Sequence, residues 1–292
     1  MSILNRFIQL VRGKVQNDEQ GKKSKIYRHP INALYSQEYW GEVKYVASWN
    51  INKCVSSAGF RFGLNGWHPY TACVNEYASG RNDGYKDSVL EAFYTAFQPE
   101  NMFEAMIAGA DFSLAPDISP KCYVFPWEPR GIREKIESMK VSVEAENKRH
   151  GFDSLTIEDG FPYHGPVAGK KGEMEYKRLV QLYNSINEIG YQRSDTPSGD
   201  IRGSLLCRDG EYLLHVRAGV HRASVVAALD IIDCPIRLIT PTIIQRSHVA
   251  FWPQVRSGLW SKKLALEYFD HLFDFDCIEY AASNGMLLKN DQ

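Results

Sequence analysis

The chain has 292 residues, 44% of them hydrophobic and 12% aromatic, which is ample for a buried core and for one large domain or two ordinary ones. Its 34 Lys and Arg are balanced by 35 Asp and Glu, so no global field draws it to a polyanion, and nucleic acid is not an expected partner without a local basic patch. Six scattered cysteines, with no CxxC spacing and no paired histidine, argue for reduced thiols in a cytoplasmic protein and against a zinc site. No run approaches the roughly 20 apolar residues of a spanning helix, and no signal-peptide core is present.

At the N-terminus, MSILNRFIQLVRGK puts Ile3, Leu4, Phe7, Ile8, Leu10 and Val11 on a helical stripe, with Arg6, Arg12 and Lys14 across from it. Residues 2–14 are expected to dock on the protein's own body or a partner, or to make peripheral contact with an anionic membrane. The polar, Gly-interrupted VQNDEQGKKSK then acts as a link and closes a first segment, residues 1–25.

Residues 26–155 read as an N-terminal α/β region. EVKYVASWNI alternates like a strand, and GFRFGLNGWHPY is β-like and bounded by glycines. Helical spacing begins in PYTACVNEYASG, and a second helix in SVLEAFYTAFQP is capped by Ser88 with Glu91 three residues on. A third, short helix in ENMFEAMIAG closes at Gly109. The proline-rich LAPDISPKCYVFPWEPRG reads as an extended crossing, and the charged stretch 130–150 leads to a boundary near residues 151–160.

Residues 156–245 are more orderly. EMEYKRLVQLYNSINEIG is an amphipathic helix with Leu179, Leu182, Tyr183 and Ile186 on its apolar face and Gly190 at its end. DIRGSLLCRDGEYLLHVRAG is a hairpin turning at Arg208-Asp209-Gly210, followed by a small-residue helix and the strand CPIRLIT. Together they predict a compact α+β unit, with residues 246–292 as a C-terminal helical segment.

The junction of hairpin and helix, AGVHRAS, carries the chemistry. A helix N-terminus presents unpaired N–H groups and partial positive charge. Gly219 lets an anion approach the backbone, Arg222 can hold two oxygens, and His221 can donate a hydrogen bond. The alternative is a plain strand-to-helix turn whose glycine relieves strain and whose Arg222 covers a carboxylate. Upstream, Arg178, Gln181 and Ser185 lie at i, i+3 and i+7 on one helix edge, as ligand contacts or as a solvated border.

LVQLYNSINEIG followed by GDIRGSLLCRDGEYLLHVRAGVHRASVVAALDIIDCPIRLI resembles the ParB/sulfiredoxin superfamily over about a quarter of the chain. That resemblance implies a nucleotide site. Gly219, His221, Arg222, Ala223 and Ser224 would hold phosphates, and Arg178, Gln181 and Ser185 would meet the nucleotide from the facing helix. Val220 stands where sulfiredoxins need a cysteine, which argues against that reductase chemistry, and Ala218 stands where the superfamily's serine kinases carry an acidic residue. A kinase would then take its carboxylate from Glu173, Glu175 or Asp200, each of which is otherwise a surface charge. The helix-turn-helix that follows this unit in partition proteins has no counterpart in the aromatic continuation.

Elsewhere, Arg246, His248, Trp252, Arg256 and Trp260 are candidates to close over a sugar or base, or to pack as core; His68, with Trp67 and Tyr70, could shape a substrate pocket. His164, before the family-like helix, either reaches the phosphates or sits in a surface turn. The WHPY and FQPEN motifs, with GPV and WPQVRSGL, also resemble uncharacterised bacterial proteins of surface-polysaccharide gene clusters. The leading expectation is a phosphotransferase using ATP or another nucleotide with Mg²⁺, acting on a small polar acceptor or sugar, with Glu173, Glu175 and His221 as catalytic candidates and His68, Arg246, His248 and Trp252 at the substrate. The alternatives are a non-catalytic nucleotide-binding module of a glycan-synthesis assembly and, more weakly, a partition-type DNA-binding protein.

Overall fold

The computed structural model describes residues 26–27, 46–110, 116–193 and 199–287. The amphipathic stripe expected at residues 2–14 lies outside them. The architecture is α+β. Its main sheet has six strands: β1 (Ile26–Tyr27), β2 (Val46–Asn50), β3 (Cys54–Val55), β6 (Ile201–Arg208), β7 (Glu211–Ala218) and β8 (Asp233–Gln245), in the order β1-β2-β8-β6-β7-β3. A separate two-stranded ladder pairs β4 (Gly160–Phe161) with β5 (His164–Val167).

The hairpin forms where the sequence places it: β6 and β7 pair antiparallel, and Asp209 (φ 48°) and Gly210 (φ 88°) supply the two left-handed residues of a twist-matched two-residue turn. β8 runs parallel to β6 on one side and antiparallel to β2 on the other. Strands from residues 26–155 and from residues 156–245 therefore share one sheet.

Side-chain alternation along this sheet separates two hydrophobic layers. Leu205 and Leu214 join one layer with α1 (Pro69–Ala78), α2 (Val89–Ala96), α5 (Gly169–Ile189) and α6 (Val220–Ala228), through residues such as Tyr70, Phe93, Leu179 and Val225. Leu206 and Leu213 join the other with α3 (Met102–Met106), the crossing segment and α8 (Lys262–Asp274), through Phe103, Phe125, Trp127 and Phe269. Burying one such side chain contributes roughly 1.5–3 kcal/mol, so the sheet is held from both faces.

Caps fall where the sequence puts them: the Ser88 side chain accepts from Glu91 N, and Glu91 in turn accepts from Asp87 N. One expectation is corrected. Residues 59–67 do not form a strand beyond a single bridge between Val55 and Arg61, because the chain wraps the Asn52 side chain, which accepts from Leu64 N. The charged stretch 130–150, to which the sequence assigned no element, forms an 18-residue helix, α4 (Ile132–Arg149). It buries only Lys135, Val143 and Asn147, with Ile132 and Met139 partly buried beside them, so the apolar period that marks a helix is thin. The remaining helices are α7 (Pro253–Arg256) and α9 (Cys277–Ser283). Among the described residues no helix is long and apolar enough to cross a membrane.

Candidate active site

Strand β7 ends at Ala218, Gly219 takes the left-handed conformation (φ 79°), and α6 begins at Val220. A Cβ on Gly219 would stand 2.7 Å from the Asp200 carbonyl oxygen, so both backbone conformation and space call for glycine. No side chain caps α6. Its first turn instead borders a cavity of about 570 Å³, within the usual size range of small-molecule sites. α4 forms a facing wall through Ser138, Ser142, Ala145, Glu146 and Arg149, a helical stripe of small and charged residues.

The lining is strongly basic. Arg130, Lys135, Arg149, Arg178, Arg202, Arg217 and Arg222 face the cavity against two carboxylates, Glu146 and Asp200. Arg149, Arg202 and Arg222 have no salt-bridge partner among the described residues. A protein whose net charge is −1 thus sets seven of its 34 Lys and Arg around one concavity, where low-dielectric walls strengthen the field on an anion. Buried polar atoms also lack protein partners here: Tyr123 OH and Ser56 Oγ, both on lining residues, and Asp200 Oδ1. Such atoms are ordinarily satisfied, and a ligand would satisfy them.

Behind the α6 turn lies a charge network. Glu175, fully buried, accepts from Lys171 Nζ (2.6 Å), Arg178 Nη1 (2.7 Å) and His221 Nε2 (2.7 Å). Burial pushes its carboxyl upward, but Arg178, His221 and Lys171 outweigh that and hold it below the usual carboxylate range. Arg178 also pairs with Glu146, and Lys171 with Asn147 Oδ1 at 2.7 Å. His221 is held below its ordinary value by burial first and by Arg178 second, so at neutral pH it is a neutral imidazole. Glu175 takes the Nε2–H, which leaves Nδ1 as a lone-pair acceptor with no hydrogen-bond partner among the described residues. The Tyr70 ring packs on His221 with centroids 4.7 Å apart, and its hydroxyl, like that of Tyr94, donates to the Pro162 carbonyl. An imidazole held by Glu175, a bare helix N-terminus and arginines without ion-pair partners among the described residues meet at one cavity, an arrangement that can hold an anion.

Comparison of the chain with protein-family models, with curated proteins and with solved structures found no match.

Several residues singled out in the sequence meet at this cavity: His68, Arg178, Asp200, Gly219, His221 and Arg222 all line it. Glu175 stands one layer back, behind His221. Others are elsewhere. Glu173 is exposed away from the cavity, since α5 turns Lys171, Glu175 and Leu179 inward. Gln181 and Ser185 are exposed too: three and seven residues beyond Arg178 carry them about 4.5 and 10.5 Å along the helix axis, past the cavity edge. Ala223 and Ser224 are fully buried under the turn, with Ser224 Oγ bonded to the Val220 carbonyl at 3.0 Å.

The expected aromatic–basic substrate segment is structural. Trp252 packs between Trp127 and Phe269, Trp260 Nε1 donates to the Val124 carbonyl at 2.9 Å, and Arg246 pairs with Asp270 at 2.6 Å. His248 is exposed beside Phe251, outside the cavity. His164 is buried with its ring nitrogens at the Gly165 and Pro120 carbonyls, so it does not reach a phosphate. Sequence reasoning missed Arg130, Lys135, Arg149, Arg202 and Arg217. The Ser138-Ser142-Ala145-Arg149 spacing was the available signal for α4, and Arg217, two residues before Gly219, was the available signal in β7.

Proposed function

We propose that the protein is a nucleotide-dependent phosphotransferase that acts on a small polar acceptor such as a sugar. What carries this is the Glu175-held imidazole of His221 at the mouth of a basic cavity, beside the uncapped N-terminus of α6. Nucleotide phosphates would lie against the Val220, His221 and Arg222 N–H groups, with the Arg222 and Arg202 guanidiniums around them. The acceptor hydroxyl gives its proton to His221 Nδ1 as its oxygen attacks the terminal phosphorus. The bond from phosphorus to the bridging oxygen breaks, and the nucleoside diphosphate leaves with the electron pair. Arg178 and Arg222 stabilise the charge spread over the transferring group. Glu175 fixes the imidazole tautomer and stabilises the imidazolium, a positioning role in place of direct contact with the acceptor.

Mg²⁺, when bound, supplies charge between the phosphates. The described residues contain no group of three or more His, Cys, Asp or Glu side chains able to hold a metal ion, so the nucleotide's own oxygens would carry it, next to Glu146 or Asp200. The order helix, hairpin, glycine turn, helix and strand supports the same reading through its likeness to the ParB/sulfiredoxin superfamily. The concentration of charge in a cavity of about 570 Å³ favours a small ligand over a duplex.

His221→Asn is expected to lower transfer from ATP to a sugar or polyol acceptor by about 10²–10⁴-fold, the usual worth of a general base, while ADP affinity stays within about threefold. Coupled detection of ADP release across an acceptor panel measures the first and calorimetry the second. Unchanged turnover in the variant, or nucleotide binding with no transfer to any acceptor, would overturn the catalytic assignment; the latter would mark a nucleotide-binding module instead.

A further inference from the structure

The cavity has a second basic end. Glu128, 2% exposed, receives Lys135 Nζ at 2.8 Å, and Arg130 Nε donates to it at 2.8 Å. Arg217 approaches the same carboxylate at 3.5 Å with its guanidinium 4.7 Å over the Phe125 ring. No second carboxylate pairs with any of the three cations among the described residues, so one buried negative charge is shared by three positive ones. Lys135 is itself buried, and burial together with the adjoining Arg217 and Arg130 holds its ammonium below its ordinary value despite the Glu128 hydrogen bonds. An excess of two positive charges in a partly desolvated place is costly without an anion to answer it. The lining hydroxyl in contact with it is that of Ser138, 3.5 Å from Arg130 Nη1; the hydroxyls of Ser56 and Tyr123, also on the lining, are buried and unpartnered. Arg217 lies two residues before Gly219, at most about 7 Å of backbone away, which separates this end from the α6 turn by less than the length of a small metabolite.

We propose that Arg130, Lys135 and Arg217 form a second anion subsite that takes a dianionic group, a phosphate monoester, carried by the acceptor. The inference rests on the phosphotransferase reading and narrows its acceptor to phosphorylated polyols or sugars. The excess of two charges matches a phosphate monoester better than a single carboxylate, and the guanidinium forks of Arg130 and Arg217 suit its oxygens.

The test is calorimetric titration of inorganic phosphate, and of glycerol 3-phosphate against glycerol, into the full chain with and without saturating ADP. Phosphate and glycerol 3-phosphate are expected to bind in the presence of ADP, and glycerol is not. Arg217→Gln should weaken phosphate binding at least about tenfold with ADP affinity within about threefold, and Arg222→Ala should do the reverse. Arg130→Gln, at a side chain 39% exposed, serves as a second variant with an expected weakening of about three- to tenfold. Phosphate affinity unchanged in both Arg217→Gln and Arg130→Gln, or phosphate binding abolished by saturating ADP, would overturn the proposal. If ADP itself fails to bind, the nucleotide reading fails, but loss of phosphate binding in Arg217→Gln and its retention in Arg222→Ala would still establish this subsite.

Discussion

Glu175→Ala is expected to destabilise the protein by about 3–5 kcal/mol, the usual cost of removing one member of a buried, hydrogen-bonded ion cluster. The Glu175 side chain is fully buried and lies against Lys171 (1% exposed), Arg178 (9%) and His221 (13%). Without it, Lys171 keeps only Asn147 Oδ1, and Arg178 keeps only the half-buried Glu146. Two cations and an imidazole would then face one another with no carboxylate between them. The loss belongs to the unmatched charges and not to the carboxylate alone, so Lys171→Met combined with Glu175→Met should be less destabilised than the sum of the two single changes. Urea denaturation of the wild type, Glu175→Ala, the two single Met variants and the double Met variant measures this. A loss under about 1 kcal/mol for Glu175→Ala would mean that the network is solvated and does not organise the His221 imidazole.

The second large effect is acid lability. Burial lowers His68 to about 3, helped by the charge of His221, and lowers His271 to about 4 against the opposing hydrogen bond to the Ala58 carbonyl. Each group therefore has a folded value below its unfolded value of about 6.5, and in the window between them the unfolded chain binds more protons. The stability these neutral histidines contribute is complete above about pH 6.5 and is lost as pH falls toward 4 and 3. At about pH 4.5 the two together cost on the order of 5 kcal/mol, a large part of the stability of an ordinary domain. His215, fully buried and depressed by desolvation and by the nearby Arg217, adds in the same direction. Denaturation midpoints at about pH 7, 5.5 and 4.5 should fall steeply, and His271→Gln, which cannot titrate, should remove about half of the slope assigned to the pair. A flat profile across that range would contradict the assignment.

Where the chain obeys short-range rules, its structure was legible in the sequence. The hairpin turn at Asp209-Gly210, the Ser88 cap and the helix after Gly219 each depend on residues within a few positions of one another. The cavity was legible on one side only, because the glycine turn and Arg178 lie on elements with a strong apolar period. Its other wall, α4, sets only Ile132, Met139 and Val143 against the core and is held as well by the Lys135–Glu128 pair and the Asn147 side chain, so its apolar period was too thin to announce it. Glu128 and Lys135 are seven residues apart across a loop, and nothing local says that they converge with Arg217. The tryptophans after β8 misled for the opposite reason. A tryptophan that stacks on a sugar and one that stacks on Phe269 have the same sequence signature, and only the fold shows that Trp252 does the latter.

The most direct test of the proposed nucleotide site is calorimetric titration of ATP, ADP and CTP, with and without Mg²⁺, into the wild-type protein and Arg222→Ala. Arg222 borders the cavity and has no ion-pair partner among the described residues, so its removal should leave the fold intact by circular dichroism while weakening nucleotide binding at least about 10²-fold, or about 2.7 kcal/mol. Micromolar binding of one of the three nucleotides, lost in Arg222→Ala, is the expected result. Absence of binding by all three, or equal affinity in the variant, would contradict the assignment of the α6 turn as a phosphate site.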